Sequence, residues 1–329
     1  MFRTFTLAAA FSTMSCLAFA ADAPAWLQTP LKTPLSEITI GITQNNAGVD
    51  SYETTYEQTI SAYAKSLGVN IVLLDPEGDP AKQSSQIQDL IAQHVNVMVV
   101  WPTNAKAVVP ALRQANRAGI PIVITNSQVD PSGVKYTLSY SGPDTVGEGR
   151  IAGKLMQQAL NGHGNVVIIN GKPGYSTAID REKGFLDVIK TTPGITVLAA
   201  QPADWDREKA QSVMENFITR FGSKIDGVYA ADDNMGAGAL NAIRAAVQEG
   251  KLKKGQIKLV GATNFAVGYD AIKVGDYYGS VVQSPVEDAR NALKTAVEVA
   301  EGQAVPRLNF IQTPPITATN LSQFTRPVF

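Results

Sequence analysis

The chain reads as an α/β protein built from two similar doubly wound parallel-sheet lobes, and three observations lead there. Short apolar runs alternate repeatedly with stretches whose apolar positions recur every three or four residues, the pattern of strand followed by helix. The strands are continuously apolar, so both of their faces are buried, which is the property of parallel sheets covered by helices. The series occurs twice along the 329 residues, a length that itself suggests two domains.

In order, an apolar-rich strand over residues 37–43 precedes a helix over 51–67, and a strand over 70–74 precedes a helix over 79–94. A strand over 97–100 leads to a helix over 105–118, and a strand over 120–125 to a helix over 145–161. The second series runs through a strand over 165–169, a helix over 177–190, a strand over 195–200 and a helix over 207–221. It ends with a strand over 227–230, a helix over 235–249 and a strand over 257–261.

Residues 1–20 stand apart from this pattern. Arg3, the apolar runs over 7–10 and 14–19, and a closing Ala18-Phe19-Ala20 are the parts of a signal peptide with its small-x-small cleavage site. The stretch is too short and too interrupted by Ser and Thr to span a bilayer as a stable helix. Cys16 is the sole cysteine and lacks the Leu and small-residue pattern of a lipid-attachment site, so it is expected to leave with the leader. A large exported domain can bury enough core without disulfides. Residues 21–36, rich in Pro and Leu, are expected to form an arm on the first lobe.

With 28 basic and 29 acidic side chains the chain is nearly neutral, and no basic patch argues for nucleic acid. Beyond the leader no apolar run reaches the roughly 18 residues of a transmembrane helix. In open parallel sheets a ligand lies beyond the carboxyl ends of the strands. The segments there, 44–52, 101–104, 126–128, 170–181, 201–206, 231–234, 262–265 and 283–285, hold amides, carboxylates, one arginine and a few aromatics. Planar amide, carboxylate and guanidinium groups can bridge adjacent hydroxyls, while an aromatic ring covers a C–H face. A neutral, hydroxyl-rich ligand is the one this inventory suits.

Enzyme signatures fail. The run Gly147-Glu148-Gly149-Arg150-Ile151-Ala152-Gly153 has the wrong spacing for a dinucleotide fingerprint and reads as a close helix-packing surface. Gly171-Lys172-Pro173-Gly174 has its lysine misplaced for a phosphate loop and reads as a tight turn. His94 and His163 lack partners for a metal or a nucleophile triad, and the adjacent Asp232-Asp233 do not bracket one bond as glycosidase carboxylates do. No enzyme activity, cofactor or metal is expected.

Through Gln201-Pro202-Ala203-Asp204-Trp205-Asp206-Arg207, Arg181-x-x-Gly184-Phe185, Asp232-Asp233-x-Met235-x-x-Gly238-Ala239 and Gln283 after a strand, the chain resembles the ribose-binding type of periplasmic sugar-binding protein, over about residues 38–319. The resemblance implies the type I fold, with three hinge crossovers near residues 140–143, 283–285 and 313–316. It implies a first lobe of residues 37–140 with 285–312, and a second of 141–283 with 313–329. It further implies a monomeric periplasmic receptor for a sugar or polyol that serves an inner-membrane ABC importer.

Position by position, the resemblance implies that Arg181 and Asp232 bond ligand hydroxyls, that Trp205 stacks on the ligand, and that Gln283 sits at the cleft floor near a hinge. Tyr52 matches an aromatic of the first loop and Asn46 an asparagine there. Asn126 stands where the ribose binder has an aspartate, Ser127 where it has the next arginine, and Thr263 or Asn264 at a further aspartate position. A carboxylate and a guanidinium have thus become an amide and a hydroxyl, which points away from ribose toward another pentose, a hexose or a sugar alcohol. Glu53, beside Tyr52, is placed to restore one acceptor.

Plainer roles compete. Asn45-Asn46 before Ala47-Gly48 suits a turn, and one of Asp232-Asp233 should cap a helix while the other faces the ligand. Arg181 beside Glu182 suits an exposed ion pair, and Trp205 and Trp101 suit packing. The same fold would also serve a sensor acting on a chemoreceptor or sensor kinase. A transcription regulator is disfavoured by the leader and by the lack of a helix-turn-helix before residue 37.

Overall fold

The computed structural model describes residues 24–329; the leader, Cys16 and the cleavage site lie outside the described residues. The first series of elements is β1 (Thr39–Thr43), α1 (Ser51–Leu67), β2 (Asn70–Leu74), α2 (Pro80–Ala92), β3 (Val97–Val100), α3 (Val109–Arg117), β4 (Ile122–Thr125) and β5 (Ser139–Gly142). The second is α4 (Thr145–Ala159), β6 (Gly164–Asn170), α5 (Ser176–Ile189), β7 (Ile195–Pro202), α6 (Arg207–Phe221), β8 (Gly227–Ala230), α7 (Asp233–Gln248), β9 (Lys258–Val260), α8 (Ala266–Val274) and β10 (Gly279–Val281). The chain then adds α9 (Pro285–Ala300), β11 (Leu308–Phe310) and β12 (Pro315–Thr317).

The strands form two six-stranded sheets with matching order, β2-β1-β3-β4-β5-β11 and β7-β6-β8-β9-β10-β12. Neighbours are parallel except that β12 runs antiparallel to β10. The two-lobe parallel architecture read from the sequence is therefore what the protein has. Its central strands are buried throughout, Val97 to Val100 being fully inaccessible, whereas the edge strands β2 and β7 are partly open. The chain leaves the first sheet after β5, returns through α9 to β11, and joins the second sheet again at β12.

Strand ends turn directly into capped helices. Asp50, Asp144, Asp206 and Asp232 each accept the backbone amide of a first-turn residue, satisfying a donor that has no partner within the helix. The helix expected from residue 105 begins only at Val109, because the Asn104 side chain holds the amides of Lys106 and Ala107 in a turn and Pro110 occupies the first turn. Beyond residue 261 the sequence marks only the strand before Gln283, which is β10; α8, α9, β11, β12 and the first-lobe β5 are additions of the structure. The strands β5, β11 and β12 have only three or four residues each, whereas α9 is sixteen residues long with a regular buried face and begins at a lobe crossover.

Residues 24–36 lie on the first lobe. Leu27 is buried in its core, Trp26, Leu31 and Leu35 pack against it, and the Glu301 carboxylate accepts the backbone amides of Lys32 and Thr33. The Gly147 to Gly153 run is a packing surface, as its spacing suggested. A Cβ on Gly149 would stand 2.1 Å from the Arg181 carbonyl oxygen, and one on Gly184 would stand 2.0 Å from that of Val146. Close approach of α4 and α5 is what brings Glu148 beside Arg181.

Gly149→Ala should therefore push α4 from α5 and destabilise the fold by about 1–3 kcal/mol, read as a lower midpoint in urea unfolding. An unchanged midpoint would show that the helices separate freely.

Candidate functional site

The carboxyl ends of both sheets face one another across a cavity of about 420 Å³. The lobes are joined around it. Ser127 Oγ and Thr177 Oγ1 lie 2.7 Å apart, the Ala105 amide donates to the Gly174 carbonyl, and the Trp101 indole donates to the Tyr175 hydroxyl. At the rim Lys172 Nζ reaches the Gly78 carbonyl at 3.4 Å.

Arg181 organises the second-lobe wall. It is 2% exposed, and its partner is Glu148 on α4 at 2.8 Å, not Glu182, so the exposed ion pair is excluded. Nη1 donates to the Ala231 carbonyl at 2.6 Å and to Thr263 Oγ1 at 3.3 Å, and Nη2 donates to Gln283 Oε1 at 2.5 Å. Of the five guanidinium protons, one on Nη2 has no protein acceptor among the described residues. Burial is the largest single influence and works against its charge, but Glu148, Tyr229 and Asp232 together outweigh it and hold Arg181 above its ordinary pKa.

Asp232 both caps α7, accepting from Met235 N at 2.6 Å, and lines the cavity. Burial pushes its pKa up to about 7. Asp233 turns away and accepts from Ser280 Oγ and Phe265 N, shaping the loop after β9. The expected division of the pair between cap and ligand thus falls on Asp232 alone.

On the first lobe, the Tyr52 hydroxyl donates to Asp288 Oδ2 at 3.0 Å and accepts from Gln283 Nε2 at 2.7 Å. Burial and the Asp288 carboxylate raise its pKa well above the usual phenol value, so it remains a donor. Asn126 Nδ2 donates to Asp288 Oδ2 at 2.6 Å. Glu53 does not stand free: its two oxygens accept from Asn45 Nδ2 and Asn46 N, both at 2.9 Å, fixing the loop that carries Asn46 into the cavity wall. Burial raises the Glu53 pKa well above the carboxylate norm.

Aromatic rings close two sides. Trp101 and Phe265 stand edge-on to Tyr52 at 6.1 and 6.5 Å between centroids, and Trp205 stands edge-on to Tyr175 at 5.9 Å. Gly171 is required by Trp205, since a Cβ there would lie 2.1 Å from the indole. Asn126, Asp204, Trp205, Thr263 and Asn264 all have positive φ, an uncommon backbone state concentrated here at strand ends.

Of the residues read from the sequence, Asn46, Tyr52, Glu53, Asn126, Arg181, Trp205, Asp232, Thr263 and Gln283 line the cavity. Ser127 and Asn264 do not: the Ser127 hydroxyl faces Thr177, and Asn264 is buried beside the wall. Sequence reading missed Tyr175, Glu148 and Asp288. Tyr175 lay within a flagged strand-end segment but was hidden by its turn motif. Glu148 and Asp288 sit inside helices and carried no local signal.

The family described as periplasmic binding protein domain matches residues 40–304, and the chain belongs to that family. It is 32% identical over 282 residues to the xylitol-binding protein of Mycolicibacterium smegmatis, covering 86% of this chain and 78% of that protein. It is 31% identical over 242 residues to the ribose import binding protein of Escherichia coli K12, covering 74% and 78%. Among solved structures, the Caulobacter myo-inositol binding protein bound to myo-inositol superposes with a TM-score of 0.81 at 26% identity, covering 88% of this chain and 96% of that one.

Arg181→Ala should cost about 3–5 kcal/mol of folding stability, because it leaves Glu148 buried and unpaired. A melting point equal to the parent's would contradict the buried pair.

Proposed function

We propose that this protein is a periplasmic receptor that closes its lobes on a neutral sugar or sugar alcohol and delivers it to an ABC importer of the inner membrane. The observation that carries the reading is the wall chemistry of the 420 Å³ cavity, a volume within the range of small-molecule sites. The wall sets one unspent Arg181 proton and the Asp232 carboxylate against the amide of Asn126, with the rings of Trp101, Phe265 and Trp205 on its flanks. Arg181, the buried cation of the site, is already neutralised by Glu148 and offers a ligand a hydrogen-bond donor, not a free charge; the exposed Lys172 and Arg207 line the outer part of the cavity. The related proteins named for xylitol and for ribose import support the same ligand class and transport role.

The moving bodies in this reading are residues 37–140 with 285–312 and residues 141–283 with 313–329, carried as a monomer and exported by the cleaved leader. Contacts from one ligand to both lobes favour the closed state, and that differential affinity drives the switch. No cofactor or chemical step is involved.

Thermal unfolding against pentoses, hexoses, their alcohols and their acids tests the proposal. A compound at about 100 times its dissociation constant adds roughly 2.7 kcal/mol of stability. A several-degree rise for a neutral compound and none for the acids is expected; a rise confined to the acids or to nucleotides would overturn the reading. Trp205→Ala should weaken binding of that compound by roughly 1–3 kcal/mol in calorimetry, and unaltered affinity would remove the indole from the site.

Affinity should also depend on pH. Ligand hydroxyls donated to Asp232 favour its ionised form, so the bound state has the lower pKa. Affinity is then full above about 7 and declines as pH falls through about 7. A flat profile from about pH 5 to about pH 8 would exclude contact with Asp232.

A further inference from the structure

Asp288 is a buried carboxylate that does not line the cavity, yet it grips two residues that do. It lies in the first turn of α9 and is fully inaccessible; Oδ2 accepts from Asn126 Nδ2 at 2.6 Å and from Tyr52 at 3.0 Å. Its Oδ1 has no hydrogen-bond partner among the described residues. A carboxylate with an unmet lone pair in a dry interior is costly, which marks a group kept for more than packing.

The consequence lies in the direction of each hydrogen bond. Asn126 has two amide protons; one goes to Asp288 and the other to the Tyr52 hydroxyl at 3.3 Å. Tyr52 gives its single proton to Asp288 and receives Gln283 Nε2. Gln283 gives one Nε2 proton to Tyr52 and its Oε1 receives Arg181, which leaves it a second Nε2 proton as a donor. What remains on the first-lobe side of this group is Asn126 Oδ1, whose one hydrogen-bond partner among the described residues is the Ser127 hydroxyl at the far limit of 3.4 Å. The positive φ of Asn126 and the donation of the Tyr140 hydroxyl to the Asn126 carbonyl fix the backbone from which this side chain projects.

We infer that Asp288 is a positioning residue that sets specificity: by taking the donors of Asn126 and Tyr52, it makes the first-lobe wall at Asn126 an acceptor, so the ligand must present a hydroxyl proton there. This rests on the receptor reading for the identity of the ligand, but the geometry of the amide is independent of it. A ligand carrying an ether, a carbonyl or fluorine at that position meets lone pairs facing lone pairs. Replacing Asp288 by an apolar residue of similar shape frees the Asn126 amide to turn and offer N–H instead.

Two measurements on the full mature protein test this. The first is hydrogen exchange of the Asn126 side-chain amide by ¹⁵N NMR, without ligand. Its protons should be protected in the parent and in Asp288→Asn, whose oxygen can accept the same donors, and should exchange freely in Asp288→Leu. Unprotected Asn126 protons in the parent would overturn the inference even if the leucine variant did not fold, and equal protection in a folded leucine variant would also do so. The second uses the panel compound that stabilises the protein and its monofluoro-deoxy series. One position should lose at least roughly tenfold in affinity for the parent and much less for Asp288→Leu, with Asp288→Asn restoring the parent's discrimination. Equal discrimination in the parent and a folded leucine variant would refute the specificity role. If no compound on the panel binds, the receptor reading fails and the exchange measurement still decides the placement of the amide.

Discussion

The Arg181 guanidinium is the constraint on which the site depends. A buried cation must have its charge and its protons met, and here Glu148, the Ala231 carbonyl, Thr263 and Gln283 meet them. Those partners come from α4, the end of β8, the loop after β9 and the end of β10, so one side chain fixes four segments of the second lobe. The glycines at 149 and 184 permit it, because only bare backbones let α4 and α5 come close enough for Glu148 to reach. Gln283 then passes the chain of hydrogen bonds to Tyr52, and through it to Asp288 in the first lobe. The network crosses between the lobes where the polypeptide itself does.

Strain is gathered where the sheets end. Thr263 is β-branched and sits at a φ of 83°, and Trp205 at 68°, states that cost energy for such residues. Both are held by their surroundings: Thr263 by Arg181, and Trp205 by the gap left at Gly171. The parallel sheets supply rigid strands whose carboxyl ends point to one place, and the strained residues are the points at which the chain turns side chains into the cleft.

How much of this was legible follows from the range of each cause. Continuous apolar runs reported the central strands because their burial is a property of each strand alone, as at Val97 to Val100. Asp232 and Trp205 were legible because they lie just after strands in recognisable motifs, and Arg181 because it sits in such a motif within α5. Glu53 was identified, but its work of holding Asn45 and Asn46 depends on a loop folding back over it. Ser127 was placed in the wall although its hydroxyl is spent on Thr177, fifty positions away and in the other lobe. Asp288 meets Asn126 across 162 positions, a separation that no local pattern encodes.

The two walls differ in the kind of polarity they hold. The second lobe carries the buried charged groups Arg181, Glu148 and Asp232; the first presents amides and rings, with its carboxylates Asp50, Glu53 and Asp288 accepting from the protein's own donors. Arg181 and Glu148 compensate each other inside the second wall, a balance set beside the repulsion between Asp50 of the first lobe and Asp232 of the second across the cleft. A charged ligand would disturb that balance in a dry site, whereas a hydroxyl can give a proton to one wall and accept one from the other. The closed geometry is therefore matched to a molecule whose every polar group is both donor and acceptor.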